Sequence, residues 1–277
     1  MSKNWVPIYC VDAFSSKPFG GNPAAVCFIN CDLDSSIYQS IASEMEHPET
    51  AFLEKIKEDE YKLRWFTPKV EIKLCGHATL ATAHVLFNDL KIKSEQIHFH
   101  TLSGLLKASK TIHGIQLDFP RDDSKLVEAP EEIIRGLGLN NVAEAVYGPN
   151  NMYLILIVED VEEIYKLKPD FTKLIAAKMP FEIKAVSVTA KGTGEYDFVS
   201  RFFAPWLGIP EDPVTGSAHT ILAPYWSEKL GKKNMCAYQA SARGGELLLK
   251  LDDERVYLSG SAITILKGEL LIGNTFF

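Results

Sequence analysis

Two short segments combine a glycine with polar side chains in a pattern that suits anion binding. They read Leu74-Cys75-Gly76-His77-Ala78-Thr79 and Glu211-Asp212-Pro213-Val214-Thr215-Gly216-Ser217-Ala218-His219. Small and apolar residues follow each glycine, which predicts buried helices that begin at Gly76 and Gly216. The first N–H groups of a helix have no partner within the helix and attract anions. A glycine at this point would let a substrate carboxylate approach the backbone closely.

The side chains beside these glycines could bind a substrate and move protons. The dipole of the first helix should favour the neutral imidazole of His77, which could relay a proton. Asp212 precedes the second helix and is expected to remain a carboxylate that accepts hydrogen bonds, while Ser217 offers a hydroxyl. A helix start could also lower the pKa of Cys75, although a small packed side chain is the simpler interpretation. Turn formation and helix capping are the structural alternatives for Asp212 and Ser217.

The segments before the two glycines also match each other. Arg64-Trp65-Phe66-Thr67-Pro68 precedes the first predicted helix, and Arg201-Phe202-Phe203-Ala204-Pro205 precedes the second, at a constant offset of 137 positions. The offset is 140 between Gly76 and Gly216. The shared order and spacing favour an internal duplication, in which two similar units each contribute one helix start.

Composition restricts the class of protein. The chain has 277 residues, is 46% hydrophobic and carries a net charge of −7, without a dense Lys/Arg cluster, which argues against general nucleic-acid binding. The five cysteines (10, 27, 31, 75 and 236) form no Cys-x-x-Cys pair, so neither a disulfide framework nor a zinc knuckle is indicated. The start lacks the apolar run of a signal peptide, and the longest apolar stretch, residues 152–158, is too short to cross a bilayer. A cytoplasmic protein without a membrane partner is expected.

The hydrophobic pattern predicts more strands than helices. Strands are expected at residues 5–14 and 24–29, and a helix at 34–46 with Ser35 or Ser36 as its N-cap. The buried helix from Gly76 should extend to about residue 90. Pro224 should stop or kink the second helix, since it lacks a backbone N–H group. Short strands at 246–251, 255–258, 262–266 and 269–272 should close the chain. The class is α+β with two related domains.

The polar segment 120–125 marks the predicted domain boundary. The N-terminal domain is expected at residues 1–120, and a strand near 268–277 could complete it. The C-terminal domain is expected at residues 121–267.

Several motifs together resemble the phenazine biosynthesis PhzF-like isomerase family, which has the diaminopimelate epimerase-like fold. The matching motifs occur in order along the chain: Val11-Asp12-Ala13-Phe14, Phe19-Gly20-Gly21-Asn22-Pro23-Ala24, Glu49-Thr50-Ala51-Phe52, Arg64-x-Phe66-Thr67-Pro68, Glu71, Cys75-Gly76-His77-Ala78-Thr79, Glu211-Asp212-Pro213-x-Thr215-Gly216-Ser217-Ala218 and Arg243-Gly244. The resemblance implies two domains, each a mostly antiparallel sheet or barrel curled around a central helix, with the active site in the cleft between them. It also implies a homodimer that needs neither a metal nor an organic cofactor.

The resemblance assigns roles to individual residues. Glu49 corresponds to the catalytic glutamate, and a carboxylate in a dry cleft can both take and return a proton. His77 and Asp212 are the further catalytic candidates. The candidate substrate-binding residues share the matching motifs and are Asn22, Gly76, Thr79, Thr215, Gly216 and Ser217.

The sequence departs from the family pattern before Glu49, where His47-Pro48 replaces the usual small hydroxyl residue and could alter substrate preference. In the cysteine-dependent epimerases of the wider fold, a catalytic cysteine stands at the position of Cys75. Its expected partner across the cleft is here Asp212 and not a second cysteine, which disfavours a thiol–thiol racemase. No metal site is predicted, because His98 and His100 lack a third ligand.

These observations predict a cofactor-independent isomerase that moves a proton on a small carboxylate-bearing metabolite, with Glu49 as acid and base. The alternatives are a racemase or epimerase that uses Glu49 or Cys75, and a non-catalytic metabolite-binding or protein-interaction protein. A serine hydrolase is disfavoured, because Ser217 and His219 do not stand in a Gly-x-Ser-x-Gly motif. Neither the substrate nor a role in phenazine synthesis follows from the sequence.

Overall fold

The computed structural model describes residues 5–30 and 33–272, so Cys31 and residues 273–277 of the predicted last strand lie outside the described residues. The chain divides into two compact units. The first comprises Met1–Asp118 and Ser259–Phe277, and the second comprises Phe119–Leu258. The chain returns to the first unit earlier than residue 268, the position expected from the sequence, because the strand Ala262–Leu271 pairs along Trp5–Ala13.

The first unit is built from one long succession of paired strands. They are β1 (Trp5–Ala13), β2 (Asn22–Ile29), β3 (Glu49–Lys55), β4 (Glu60–Phe66), β5 (Glu71–Ile72), β6 (Gln96–Thr101), β7 (Gly104–Thr111), β8 (Gly114–Pro120) and the last strand of the chain, β18 (Ala262–Leu271). Most neighbours are antiparallel, but β2 pairs with β3, and β4 with β6, in parallel. The arrangement is the α+β class with a mixed sheet.

Two helices pack in the first unit. α1 (Ser35–Met45) is capped by Asp34, whose side chain accepts a hydrogen bond from the Ser36 N–H group, so the predicted serine cap is wrong. The carboxylate of Asp34, one position before Ser35, takes that role. α2 (Gly76–His84) continues through a π-helical turn (Val85–Asp89), which confirms the predicted length. Residues 77–84 are all buried, so α2 is the enclosed helix that its composition predicts.

The second unit repeats this order of strands. They are β9 (Lys125–Leu126), β10 (Glu144–Gly148), β11 (Tyr153–Ile157), β12 (Ala185–Lys191), β13 (Phe198–Ala204), β14 (Ile209–Asp212), β15 (Asn234–Gln239), β16 (Gly245–Leu251) and β17 (Arg255–Gly260). The parallel pairs are β11 with β12 and β13 with β15, which match β2 with β3 and β4 with β6. The helices are α3 (Glu131–Leu137), α4 (Val161–Lys166), α5 (Phe171–Ala176) and α6 (Gly216–Leu230), with a 3-10 turn at Pro205–Leu207.

Two arginine–glutamate pairs give independent support for the internal duplication. Arg64 donates two hydrogen bonds to Glu71, at 2.7 and 2.8 Å, and Arg201 donates two to Glu211, at 2.7 and 2.9 Å. Each guanidinium also lies 5.1 Å from the centre of the phenylalanine ring two residues later in its strand. Because the same contacts recur in both units, the matched sequences reflect a matched structure and not only similar turn chemistry.

Pro224 does not stop α6, which continues to Leu230, so the predicted stop is wrong, while the kink predicted as the other outcome stays a prediction. A proline leaves the carbonyl group four residues earlier without its helical donor. In α6 this carbonyl belongs to Thr220, and it accepts a hydrogen bond of 3.2 Å from the backbone N–H group of Asp122. Residues 150 and 151 in turn donate their N–H groups to the Asp122 carboxylate, which fixes the segment that supplies the missing donor.

Other differences from the sequence prediction concern strands. The sequence analysis did not identify β10 and β15, which are short and lie between turns. The two strands predicted at 262–266 and 269–272 form one strand, β18, whose pairing with β1 shifts between Cys10 and Val11. Among the described residues, no helix has the length and apolarity that a bilayer crossing requires.

Candidate active site

In the first unit, strand starts and a helix start bring the candidate residues together. Asn22 begins β2 and Glu49 begins β3, and the two strands are parallel neighbours, so both starts lie at one end of the sheet. Gly21 precedes Asn22 with a φ of +63°, and a Cβ atom there would lie 2.1 Å from the carbonyl oxygen of Ala13, so the turn requires glycine. The first turn of α2 brings His77 to the same place.

His77 is the centre of the polar contacts in this unit. Its Nε2 atom lies 3.1 Å from Oε2 of Glu49, and its Nδ1 atom lies 3.6 Å from Sγ of Cys75. Nδ1 is also 3.1 Å from Nδ2 of Asn22. The side chains of Glu49 and His77 are only 10% and 6% exposed. The imidazole therefore contacts both a carboxylate and a thiol inside the protein.

The charges around His77 change its protonation from the sequence expectation. Burial lowers its pKa, but Cys75 and Glu49 together raise the pKa well above the ordinary histidine value. The predicted preference for a neutral imidazole is therefore wrong in direction, because Cys75 and then Glu49 favour the charged form of the buried ring. Nε2 of the charged ring and Oε2 of Glu49 form a buried ion pair at 3.1 Å.

Cys75 is not an activated thiol in this environment. Burial raises its pKa, and the charge of Glu49 raises it further. The small packed side chain, the simpler of the two interpretations of Cys75, therefore fits and a lowered pKa does not, because desolvation of the thiolate is the larger effect. The four cysteines among the described residues, Cys10, Cys27, Cys75 and Cys236, are free thiols.

The start of α2 has the features expected of an anion-binding helix start. Cys75 is its N-cap residue and makes no side-chain capping hydrogen bond. Gly76 is half-buried, whereas Thr79 is buried and its hydroxyl donates to the Cys75 carbonyl. Thr79 thus stabilises the first turn, and its hydroxyl already has an acceptor within the helix.

In the second unit, the candidate residues surround the start of α6. Thr215 is the N-cap residue, and its hydroxyl donates to Oδ2 of Asp212 instead of capping the helix. Gln239 holds this turn with both ends of its amide, because Oε1 accepts from the Thr215 N–H group at 2.9 Å and Nε2 donates to the Asp212 carbonyl at 2.7 Å. Gly216 follows in the first turn and is buried.

Ser217 is half-buried, and its hydroxyl lies 3.2 Å from the hydroxyl of Tyr153, the first residue of β11. The sequence analysis missed Gln239 and Tyr153, since neither lies in a motif. The internal repeat could have indicated Tyr153, because this residue begins the strand that corresponds to β2. His219 is buried, burial lowers its pKa to about 4, and its Nδ1 atom contacts the Thr215 carbonyl, so it is a packed residue.

The repeat shows which polar groups the two units do not share. Strand register places Ala185 at the position of Glu49, because Thr50 pairs with Phe66 and Val186 pairs with Phe203. Counting from the two helix starts, Thr215 and Ser217 stand at the positions of Cys75 and His77. The set of carboxylate, imidazole and thiol therefore occurs in the first unit and has no counterpart at the equivalent positions of the second.

Comparison with known proteins agrees with this architecture. The family model described as phenazine biosynthesis-like protein matches residues 11–268. An uncharacterized isomerase of Halalkalibacterium halodurans is 47% identical over 96% of this chain and 98% of its own length, and a phenazine biosynthesis-like domain-containing protein of Bos taurus is 43% identical over 96% and 99%. The crystal structure of a PhzF-family phenazine biosynthesis protein from Enterococcus faecalis has a TM-score of 0.90 at 43% identity and covers 96% of this chain and 99% of its own. The chain therefore belongs to the phenazine biosynthesis-like, or PhzF, protein family.

Proposed function

We propose that this protein is an isomerase that moves a proton from one carbon of a small carboxylate-bearing metabolite to another, with Glu49 as acid and base. The observation that supports this proposal is the buried contact of 3.1 Å between the Glu49 carboxylate and the imidazole of His77. A carboxylate held in this way, beside an uncapped helix start, can accept a proton from carbon while an anion is bound nearby.

The reaction needs no change in oxidation state. Glu49 takes a proton from one carbon, which breaks a C–H bond and forms the O–H bond of a carboxylic acid. The electron pair left on the substrate shifts along the chain, and Glu49, after exchanging its proton with solvent, returns a proton to a second carbon. His77 orients the carboxylate through Nε2 and stabilises its charged form before the proton is taken.

The substrate class follows from the helix starts. N–H groups at the start of α2, beside Gly76, can donate hydrogen bonds to a substrate carboxylate. We assign further substrate contacts to four residues of the second unit: Asp212, Thr215, Gly216 and Ser217. That both units contribute to one active site stays a prediction from the sequence. The assignment of Asn22 as a substrate-binding residue also stays a prediction, although its amide is buried against His77.

Incorporation of deuterium from heavy water into candidate carboxylic acids tests the reaction directly. The alternative, a racemase or epimerase that uses Cys75, rests on the contact between Sγ and Nδ1 of His77. Exchange at full rate in Cys75→Ser supports glutamate catalysis, whereas loss of exchange in this variant supports the thiol alternative. A bound acid that never exchanges would indicate a binding protein.

Gln239 provides a prediction for the second unit. Gln239→Leu keeps the side-chain size but leaves the Thr215 N–H group and the Asp212 carbonyl without their partner. We expect the free energy of unfolding to fall by about 2 to 3 kcal/mol, because unsatisfied buried groups cost this much. Denaturant titration measures the loss. Gln116→Leu, which removes one bond of 3.2 Å to Ser259, is the control and should change stability by less than about 1 kcal/mol. Equal losses would contradict the role of Gln239.

A homodimer is proposed through β18. Residues 265–269 are all exposed, so side chains on both faces of this strand meet solvent. Four large apolar side chains on β1 and β18 are exposed: Trp5, Ile265, Leu266 and Leu271. Trp5 and Leu271 lie opposite each other in the strand register. A second copy of the chain could cover this surface.

Light scattering tests the dimer. We expect the mass of two chains for the natural protein and of one chain for the double variant Leu266→Lys, Leu271→Lys, because two buried charges would oppose association. Ile112→Lys, at an exposed position of the same unit, should leave the dimer intact. A monomeric natural protein would refute the proposal.

A cytoplasmic location also stays a prediction. The free thiols of the four described cysteines suit a reducing compartment. Cell fractionation would test it.

A further inference from the structure

We propose that Glu49, Cys75 and His77 form a binding site for a single divalent cation of the zinc class. Each residue offers one ligand atom, and the three ligand atoms lie within 4.8 Å of one another. All three residues are buried, and this candidate cation site is empty. Among the described residues, no other group of three or more such side chains is as closely spaced.

The distance between the sulfur of Cys75 and a ring nitrogen of His77 already matches the distance between two ligands of a zinc ion. Bond lengths of about 2.3 Å to sulfur and 2.0 to 2.1 Å to nitrogen, at a tetrahedral angle, place the two ligand atoms about 3.5 Å apart. The distance between Cys75 Sγ and His77 Nδ1 is 3.6 Å. An ion between these atoms would displace the Asn22 amide nitrogen from Nδ1.

Glu49 would supply the third ligand after a small movement. Neighbouring ligands of a tetrahedral zinc ion lie about 3.3 to 3.6 Å apart, so from a spacing within 4.8 Å the carboxylate would move by at most about 1.5 Å. Binding would release the protons of the Cys75 thiol and of the His77 imidazolium to solvent, because the ion takes a thiolate and a neutral imidazole. Thiolate, imidazole and carboxylate together favour zinc over magnesium or calcium, which prefer oxygen ligands alone. Three protein ligands leave a fourth position for water or for a substrate carboxylate.

One ion per chain is expected. The equivalent positions in the second unit hold Ala185, Thr215 and Ser217, which cannot form a comparable site. Bound zinc would occupy the lone pair of Glu49 that accepts the proton, and so it would inhibit the isomerase. This consequence rests on the proposed function, whereas the binding itself does not.

The experiment is a calorimetric titration of the chelator-treated, full-length protein with zinc chloride. We expect one ion per chain, and an affinity at least about 100-fold lower in Cys75→Ser, which loses a ligand. Cobalt(II) in place of zinc should give a thiolate-to-metal absorption band that Cys75→Ser lacks. Glu49→Gln should weaken binding while it keeps this band, because sulfur and nitrogen still hold the ion.

Cys10→Ser is the matched control. Cys10 Sγ lies 3.3 Å from Nε2 of His47, a cysteine–histidine contact in the same unit, but among the described residues these two belong to no group of three closely spaced metal ligands. The variant should bind zinc and cobalt as the natural protein does. Loss of the absorption band in Cys10→Ser, or its survival in Cys75→Ser, would overturn the assignment, and so would the absence of binding.

The two proposals fail separately. Zinc binding without inhibition of deuterium exchange would keep the metal site and reject the proposed role of Glu49. Exchange that depends on Glu49 in a protein that binds no zinc would reject the metal site alone.

Discussion

Replacement of Glu49 by glutamine should reduce the incorporation of solvent deuterium into the substrate by a factor of about 10² to 10⁴, the usual contribution of a general acid–base group. Glutamine has nearly the same size and can still contact Nε2 of His77 through its amide oxygen. It cannot accept a proton from carbon, however. The loss should therefore appear in kcat, with little change in KM, because the groups that bind the substrate carboxylate are untouched. Mass spectrometry of the substrate recovered from heavy water measures the exchange.

Glu54→Gln is the control on the same strand. Glu54 lies near the other end of β3, where its half-exposed side chain contacts Lys62, so exchange should continue at the rate of the natural protein. Exchange that persists in Glu49→Gln would reject Glu49 as the base, even if the variant is folded. A parallel rise in KM would instead indicate a role in substrate binding.

Residue chemistry alone could not single out Glu49. Glu44, Glu46 and Glu54 stand nearby in the sequence with the same functional group, and only the resemblance to a family distinguished one of them. The structure shows how the surroundings of Glu49 differ from those of the other glutamates. Glu49 begins a strand that runs parallel to β2, and this pairing sets it against His77, which lies 28 positions later in the chain. A contact of this kind depends on strand order, which local sequence patterns do not specify.

The helix starts were predictable for the opposite reason. A glycine followed by small residues is a local signal, and both α2 and α6 begin at the predicted residue. The continuation of α6 past Pro224 was not predictable, because the donor that satisfies the Thr220 carbonyl is the N–H group of Asp122, about one hundred positions earlier. The protonation of His77 shows the same limit, because the Glu49 carboxylate that helps to raise its pKa lies 28 positions earlier in the chain.

The internal duplication is visible partly in local sequence and partly only in the structure. Its sequence signal, five residues in each unit, contains the arginines but not their partners. Glu71 and Glu211 lie on the short strands β5 and β14 that lead into the two helix starts. Each pair therefore fixes the segment before a helix start to the neighbouring long strand. A residue such as Asp212, next to Glu211, depends on this attachment for its position.

Arg201→Leu should consequently be among the most destabilising substitutions in the second unit. The side chains of Arg201 and Glu211 are only 12% and 21% exposed, and the guanidinium also donates to the carbonyl groups of Ile164 and Leu167 at the end of α4. Removal of the arginine leaves a largely buried carboxylate without its cation and takes one donor from each of the two carbonyl groups, of which Ile164 keeps the Leu167 N–H group. Loss of one partner of a buried ion pair costs about 3 to 5 kcal/mol. Denaturant-induced unfolding, followed by tryptophan fluorescence, measures the change.

The repeat supplies the control, Arg64→Leu. Arg64 and Glu71 are more exposed, at 23% and 26%, and among the described residues the further side-chain hydrogen bond of Arg64 goes to the hydroxyl of Ser35. Water can therefore solvate the remaining carboxylate more easily, and we expect a loss of about 1 to 2 kcal/mol. The double variant Arg201→Leu, Glu211→Leu should recover part of the stability, because it removes the uncompensated charge as well. If Arg64→Leu proved as costly as Arg201→Leu, or the double variant recovered nothing, burial of the charge would not be the cause, and the attachment of the segment before α6 would need another explanation.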